Sequence, residues 1–285
     1  MKKNQIKAIA IDLDGTLLNS RQKISSYTRQ VLDECRKRDI KLIIATGRNQ
    51  HSAAELVRGI GPVSFISNNG SQIVDEEGKV LREREISRTT TREIINFSRE
   101  IGKLYFFLVS PDALLMPPPR NSLCKPLLRH LFSWKGLMEY LDNRNLVPRI
   151  RTKDVEGYLE NNPFKIQKIN FIGEAFRIEA LEKRIEILNL AITRGHEWSI
   201  DINPTGVTKG EALSFLTEQW GISQENLLAF GDGHNDLDML CFAGTGVVMD
   251  NSVLGILKEN ADLVAPSNNE DGVARIIEKL VFAEA

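Results

Sequence analysis

The chain has 285 residues, enough for one large domain or two of ordinary size. Its 37 basic and 38 acidic residues leave a formal net charge of -1, so the whole-protein field offers no general attraction for nucleic acid or anionic lipid. No apolar run approaches the ~18 residues of a membrane span, and Asp12 and Asp14 interrupt the apolar stretch after Lys2 and Lys3 that would otherwise mimic a signal peptide; the expectation is a soluble, cytoplasmic protein.

Residues 6–13 form a short apolar run that stops at Asp14-Gly15-Thr16, which predicts a buried strand followed by a turn. From Ser25 onward Tyr27, Val31, Leu32 and Cys35 recur at helical spacing, with Ser25 or Ser26 as the cap. Residues 40–45 read as a second buried strand ending at Thr46-Gly47-Arg48. A helix through 53–57, a third strand at 63–67 and the loop Asn68-Asn69-Gly70 continue the alternation, which predicts a parallel sheet. Residues 72–82 differ: two strand-like runs flank Glu76-Glu77-Gly78, a hairpin turn.

In the middle of the chain Pro111, Pro117, Pro118, Pro119, Pro126, Pro148 and Pro163 exclude long regular elements and predict a loop-rich region. Around it lie a helix at 91–101, with Thr89-Thr90-Thr91 as its cap, strands at 104–109 and 165–172, a helix at 175–193 and a strand at 197–202. The alternation then resumes. A helix at 209–220, a strand at 227–230, the loop Gly231-Asp232-Gly233 and strands at 246–249 and 262–264 lead to helical runs ending near 282. The expected fold is therefore a doubly wound, parallel-sheet α/β core built from residues 1–85 and 203–285, with residues 86–202 as an inserted α+β domain. Cys35, Cys124 and Cys241 are scattered without pair spacing, so neither a disulfide framework nor a zinc site is indicated.

The loops at Asp12-Leu13-Asp14-Gly15-Thr16, Thr46-Gly47-Arg48, Asn68-Asn69-Gly70 and Gly231-Asp232 each follow an apolar strand. In open parallel sheets ligands bind beyond the carboxyl ends of strands, so these loops can share one crevice. Asp12 and Asp14 lie close enough to repel, which a divalent cation relieves; oxygen-rich ligation suits Mg²⁺. Asp232 and Asp236 would add negative oxygen ligands. A phosphoryl group needs donors and cations around its oxygens, and Thr46, Gly47, Asn235 and Lys209 supply a hydroxyl, a backbone N–H, an amide and an ammonium. Lys209 also opens a helix behind Thr205-Gly206-Val207-Thr208, where backbone donors favour an anion.

At these residues the sequence resembles the haloacid dehalogenase-like superfamily of phosphotransferases. The matching motifs are Asp12-Leu13-Asp14-Gly15-Thr16-Leu17, Thr46-Gly47-Arg48, Asn69-Gly70, Gly206-Val207-Thr208-Lys209-Gly210, and Gly231-Asp232-Gly233-His234-Asn235-Asp236 with Met239. The large insertion is similar to the α/β cap of the Cof-type sugar-phosphatase subgroup. The resemblance implies Asp12 as the nucleophile that forms an aspartyl-phosphate, and Asp14 as the acid for the leaving oxygen and then the base for water. It implies Mg²⁺ held by the Asp12 carboxylate, the Asp14 backbone carbonyl and Asp232, with Asp236 direct or one shell out. Leu13 through its backbone, Thr46, Gly47, Lys209 and Asn235 would contact phosphate. The stretch Val247-Val248-Met249-Asp250-Asn251-Ser252 departs from the small residues many relatives carry, and it is expected to change packing without touching this chemistry.

Several residues are left outside the expected site. Arg48 suits phosphate or a salt bridge equally, and His234 is structural or at the substrate's edge because Mg²⁺ prefers oxygen. Lys165 and Lys168 on one predicted strand, and Arg149 and Arg151 on a neighbour, fit anion recognition or a solvated face. The expected function is Mg²⁺-dependent hydrolysis of a small phosphorylated metabolite, a sugar phosphate first, by a monomer or homodimer with no nucleic-acid or membrane partner. The alternatives are a phosphomutase using the same Asp12 and a non-catalytic phosphate sensor on the same scaffold.

Overall fold

The structure is a computed structural model that describes residues 5–118 and 148–282. Pro119, Pro126 and Cys124 lie outside the described residues, as do Lys2 and Lys3. The chain divides into two compact units, one of residues 1–48, 53–82 and 208–285 and the other of residues 49–52 and 83–207. Strands β1 (Ala8–Ile11), β2 (Lys41–Ala45), β3 (Ser64–Ser67), β4 (Gln72–Val74) and β5 (Val80–Glu83) come first. The middle of the chain supplies β6 (Tyr105–Val109), β7 (Leu114–Met116), β8 (Arg149–Arg151), β9 (Lys168–Ile172), β10 (Ala191–His196) and β11 (Ser199–Asn203), and β12 (Leu227–Gly231), β13 (Thr245–Met249) and β14 (Leu263–Ala265) follow.

The first unit is built on an eight-stranded sheet in the order β14-β13-β12-β1-β2-β3-β4-β5. Its pairings β14 to β13, β13 to β12, β12 to β1, β1 to β2 and β2 to β3 are parallel, and β4 is antiparallel to β3. Both faces are covered. Ile9, Ile11, Leu42, Ile44, Leu228 and Phe230 enter one apolar cluster, while Ala8, Ala10, Ile43, Ala45, Leu227 and Ala229 enter another. That is why these strands read as unbroken apolar runs and not as alternating ones. The chain moves from β1 outward through β2 and β3, then returns to the other side of β1 with β12, so the sheet is doubly wound and switches direction at β1. The expected fold class is borne out.

Two details follow the sequence closely. The helix Lys209–Trp220 starts at Thr208, whose hydroxyl accepts from the Glu211 N–H, and ends at Gly221 in the left-handed region at φ 62°. The β4–β5 hairpin turns where Asp75 Oδ1 accepts from the N–H groups of Glu77 and Lys79.

The second unit carries a six-stranded sheet in the order β10-β11-β9-β6-β7-β8. Phe106, Leu108, Ile169, Phe171, Ile200 and Ile202 line the face packed with Ile94, Ile95, Ile178 and Leu181 of the helices Arg88–Ile101 and Ala175–Ile185. Four expectations need correction here. The helix expected over 175–193 stops at Ile185, because a 3₁₀ turn follows and Asn189 takes the left-handed conformation, after which the chain enters β10. The proline-rich stretch includes the short strands β7 and β8 and, between Pro148 and Pro163, the helix Val155–Asn161. Ser87, not the threonine run, caps the helix Arg88–Ile101, through its side chain to Thr90 N–H. Arg149 and Arg151 lie on β8, which pairs with β7 and not with the strand of Lys168. Lys168 is buried on β9 and pairs with Asp201 at 2.8 Å, whereas Lys165 precedes that strand, is exposed and pairs with Glu83.

Candidate active site

The apolar run of β1 carries the chain to Asp12, whose N–H donates to Phe230 O at 3.0 Å on the adjoining β12. Beyond it the backbone folds back on itself: Leu17 N–H donates to Asp12 O and Leu18 N–H to Leu13 O. Gly15 makes this turn with φ +85°, and a Cβ there would lie 2.2 Å from Asp232 Oδ2. Only glycine fits so close to the second carboxylate.

Asp12 is 5% exposed, and Lys209 and Asp236 are fully buried. Lys209 Nζ donates to Asp12 Oδ1 at 2.7 Å and to Asp236 Oδ1 at 2.6 Å. The other oxygen of Asp236 accepts from the backbone N–H groups of Asp232 (3.0 Å) and Gly233 (2.9 Å). Both of its oxygens are therefore engaged, Oδ1 by Lys209 and Oδ2 in shaping the loop after β12. Asp232 Oδ1 accepts from Thr16 Oγ1 at 3.1 Å. Asp12, Asp232 and Asp236 each offer an oxygen within 4.8 Å of the others, an acidic triad able to hold a metal ion. Among the described residues the Oδ2 atoms of Asp12 and Asp232 carry no hydrogen bond, so these are the oxygens open to a cation.

The electrostatics ask for such a cation. Burial pushes the Asp12 carboxyl well up; Lys209 pulls it down, but Asp236, Asp232 and Asp14 add to the rise. Burial and Asp236 push Asp232 up to about 6 against the hydroxyl of Thr16 and the charge of Lys209. Burial opposes the charge on Lys209, yet Asp12 and Asp236 hold its pKa above the ordinary lysine value. Counting Asp12, Asp14, Asp232 and Asp236 against Lys209 and Arg48 leaves two negative charges, the charge of one divalent ion. All the open donors are oxygens, which fits Mg²⁺.

Asp14 stands apart from the triad. Arg48 donates to both of its oxygens, Nε to Oδ2 and Nη2 to Oδ1, each at 2.6 Å, and Nη2 also reaches Gln22 Oε1 at 3.0 Å. Thr46 follows β2, and its Oγ1 accepts from Arg48 N–H at 3.1 Å. Asn235 follows Asp232 in the loop after β12 and donates through Nδ2 to Asn69 Oδ1 at 3.0 Å. A Cβ on Gly47 would lie 2.9 Å from that Asn69 oxygen and 3.6 Å from Asn235 Nδ2, so Gly47, Asn69 and Asn235 adjoin. Leu13 is buried, with its carbonyl used in the turn. His234 is exposed and outside the acidic triad.

The sequence reading left out several supporting residues. Arg48 was undecided between phosphate and a salt bridge; the structure pairs it with Asp14. Asn69 lies in the Asn69-Gly70 motif, which by itself assigns it no role. Asn251 and Ser252, expected to leave the site alone, hold its backbone: Asn251 Nδ2 donates to Gly15 O at 2.9 Å and Ser252 Oγ to Asp232 O at 2.7 Å. Thr16 carries a signal of its own in the sequence, a hydroxyl beside a carboxylate loop, and its Oγ1 donates to Asp232.

A doubly wound α/β sheet with a carboxylate cluster at its switch strand, and an inserted unit between the halves, defines a hydrolase of the phosphatase class. The chain belongs to the haloacid dehalogenase-like hydrolase family, whose model matches residues 9–277. The resemblance drawn from the motifs is thereby borne out. The chain is 30% identical over 278 residues to the 5-amino-6-(5-phospho-D-ribitylamino)uracil phosphatase YcsE of Bacillus subtilis, covering 97% of this chain and 96% of that one. It superposes on a haloacid dehalogenase-like hydrolase from B. subtilis with a TM-score of 0.85 at 27% identity, covering 96% and 99% of the two chains. It shares the fold of the subclass IIB sugar phosphatase BT4131, with a TM-score of 0.75 at 22% identity and coverage of 96% and 98%.

Proposed function

We propose that the chain is a cytoplasmic, Mg²⁺-dependent phosphatase that hydrolyses a small phosphorylated metabolite of the sugar-phosphate class through an aspartyl-phosphate on Asp12. The observation that carries this reading is the Asp12–Lys209 pair: a buried carboxylate at the end of a central parallel strand, with one oxygen held by a buried ammonium and the other open. That fixes the carboxylate for in-line attack. An Asp12 oxygen bonds to phosphorus as the bond to the leaving oxygen breaks, and Asp14 gives that oxygen its proton. Asp14 then takes a proton from water, whose oxygen attacks phosphorus and frees Asp12 and inorganic phosphate.

Asp12, Asp232 and the Asp14 carbonyl would hold Mg²⁺, and Asp236, with both oxygens engaged, orients that set. When bound, the ion supplies positive charge that keeps Asp12 ionised and balances charge on the phosphoryl oxygens. Leu13, Thr46, Gly47 and Asn235 bind the phosphate oxygens, with Lys209 adding positive charge through Asp12. We read residues 1–85 and 203–285 as the core that performs the chemistry and residues 86–202 as the cap that selects the leaving group. The substrate class is supported by the relative from B. subtilis, whose named substrate carries its phosphate on a ribityl chain. The free thiols of Cys35 and Cys241 suit a reducing compartment.

The test is phosphate release from a panel of sugar, nucleotide and cofactor phosphates, with Mg²⁺ and with excess chelator, running Asp12→Asn in parallel. Release that needs both the metal and Asp12 supports the reading; release that survives the chelator and the substitution overturns it.

A further inference from the structure

The turn after β3 holds a conformation that needs a reason. Asn68, Asn69 and Gly70 all have positive φ, at 49°, 59° and 110°, and both asparagines are buried. Asparagine tolerates the left-handed region better than most residues, yet two in succession inside a core persist only when their surroundings hold them there. Here the turn is held on three sides. Asn68 N–H donates to Arg48 O at 2.8 Å and Asn69 N–H to Thr46 O at 3.0 Å, which clasps the Thr46-Gly47-Arg48 loop. A Cβ on Gly70 would lie 2.4 Å from Thr208 O, so the turn also seats against the start of the helix that bears Lys209. The Asn69 side chain reaches Asn235.

The amide of Asn235 has a defined direction. A Cβ on Gly233 would lie 2.8 Å from its Oδ1, whereas the Nδ2 is the end that faces Gly47 and Asn69. One of the two Nδ2 hydrogens goes to Asn69 Oδ1. The other has no acceptor among the described residues and is left for an oxygen bound beside Gly47. If the amide turned over, it would present a carbonyl oxygen to a phosphate, exchanging an attraction for a repulsion.

We propose that Asn69 is a positioning residue for phosphate binding: its Oδ1 fixes the Asn235 amide with an N–H toward the ligand. The inference rests on the reading of Asn235 as a phosphate-binding group. It assigns the buried left-handed turn a purpose, since that backbone conformation brings Asn69 Oδ1 between Gly47 and Asn235 while its N–H holds Thr46.

The experiment measures inhibition by inorganic phosphate, together with kcat and KM, in the wild type, Asn69→Gly, Asn235→Ala and the double variant, with thermal melts of each. Glycine keeps the positive φ while removing the acceptor. Asn69→Gly should weaken phosphate inhibition roughly tenfold, the loss expected for a hydrogen bond to a charged group. Asn235→Ala should weaken it at least as much, and adding Asn69→Gly to it should cost less than about threefold more, because the partner is already gone. A full additive loss in the double variant overturns the proposal, as does unchanged inhibition in Asn69→Gly when Asn235→Ala is impaired. Unchanged inhibition in Asn235→Ala overturns the reading of Asn235 and the inference with it. Asn69→Ser, which also lacks the reach to Asn235, makes the same test if the glycine variant does not fold.

Discussion

Arg48 grips both carboxylate oxygens of Asp14, with Nε and Nη2 each 2.6 Å from their acceptors. Burial raises the Asp14 pKa, but the charge and hydrogen bonds of Arg48, with a hydrogen bond to Gln22, outweigh it and hold the carboxyl below its ordinary value. The residue proposed to protonate the leaving oxygen is thus held ionised in this geometry, and it takes up a proton only when the grip loosens. In Arg48→Gln the pKa of Asp14 rises, so the limb of the kcat/KM profile that reports Asp14 moves to higher pH. Profiles that superimpose on the wild type would separate Arg48 from the protonation of Asp14.

Asp12→Asn tests the nucleophile without threatening the fold. The substitution keeps the shape, leaves Lys209 paired with Asp236, and removes one of the like charges that crowd the site. Turnover should be abolished while circular dichroism and the melting temperature stay at or above the wild-type values measured in chelator. More than a trace of phosphate release would remove Asp12 from the covalent step. Asp14→Asn should instead slow turnover by the ~10²–10⁴ typical of lost acid–base catalysis, with the rate of the first burst of leaving group as the direct readout.

Much of this site could be read from the chain because its scaffold leaves local signatures. Strands buried on both faces give unbroken apolar runs, and each run ends in residues that turn, so Asp12, Thr46 and Asp232 could be placed at strand ends without coordinates. The helix Lys209–Trp220 carried its own start and stop in Thr208 and Gly221. What escaped was pairwise and distant. Arg48 and Asp14 are 34 positions apart, and Asn235 and Asn69 are 166 apart, so no spacing rule links them. The missed end of the helix Ala175–Ile185 has a different cause: Ile187, Leu188, Leu190 and Ile192 sustain an apolar pattern across the break, and only Asn189, at φ 49°, stops it.

Metal-free protein should lose stability as the pH rises through the weakly acidic range. In the folded chain Asp232 titrates at about 6 and Asp12 is also raised from its ordinary value of 3.8, so the folded state keeps protons that the unfolded chain has released. Stability therefore falls between about pH 4 and pH 6, and the loss persists above that. Asp14 acts in the opposite sense, and its contribution disappears only as the pH drops below about 4. A divalent cation removes the penalty on Asp12 and Asp232. In chelator the melting temperature should be lower at about pH 7 than at about pH 5, and Mg²⁺ should raise it more at the higher pH. Equal melting temperatures in chelator at the two values, with the same response to Mg²⁺, would contradict this picture of the acidic triad.

Gly15 and Gly78 form a matched pair for separating backbone strain from damage to the metal site. Both have φ +85°, so alanine at either position meets the same conformational penalty, on the order of 1 kcal/mol, or a fall of ~2–4 °C in melting temperature. Their surroundings differ completely. Among the described residues the Cβ of Gly78→Ala meets nothing within 4 Å, whereas that of Gly15→Ala would lie 2.2 Å from Asp232 Oδ2 and 2.7 Å from its carboxyl carbon. Asp232 must rotate away, which breaks its bond from Thr16 Oγ1 and moves the oxygen proposed to hold Mg²⁺. Gly15→Ala should therefore need roughly 10–100-fold more Mg²⁺ for half-maximal activity, the range seen when the support of a metal ligand is lost. Gly78→Ala should match it in lost strain energy alone and keep the wild-type Mg²⁺ dependence. A Gly15→Ala protein that melts lower but titrates normally with Mg²⁺ would show that Asp232 Oδ2 takes no part in holding the ion.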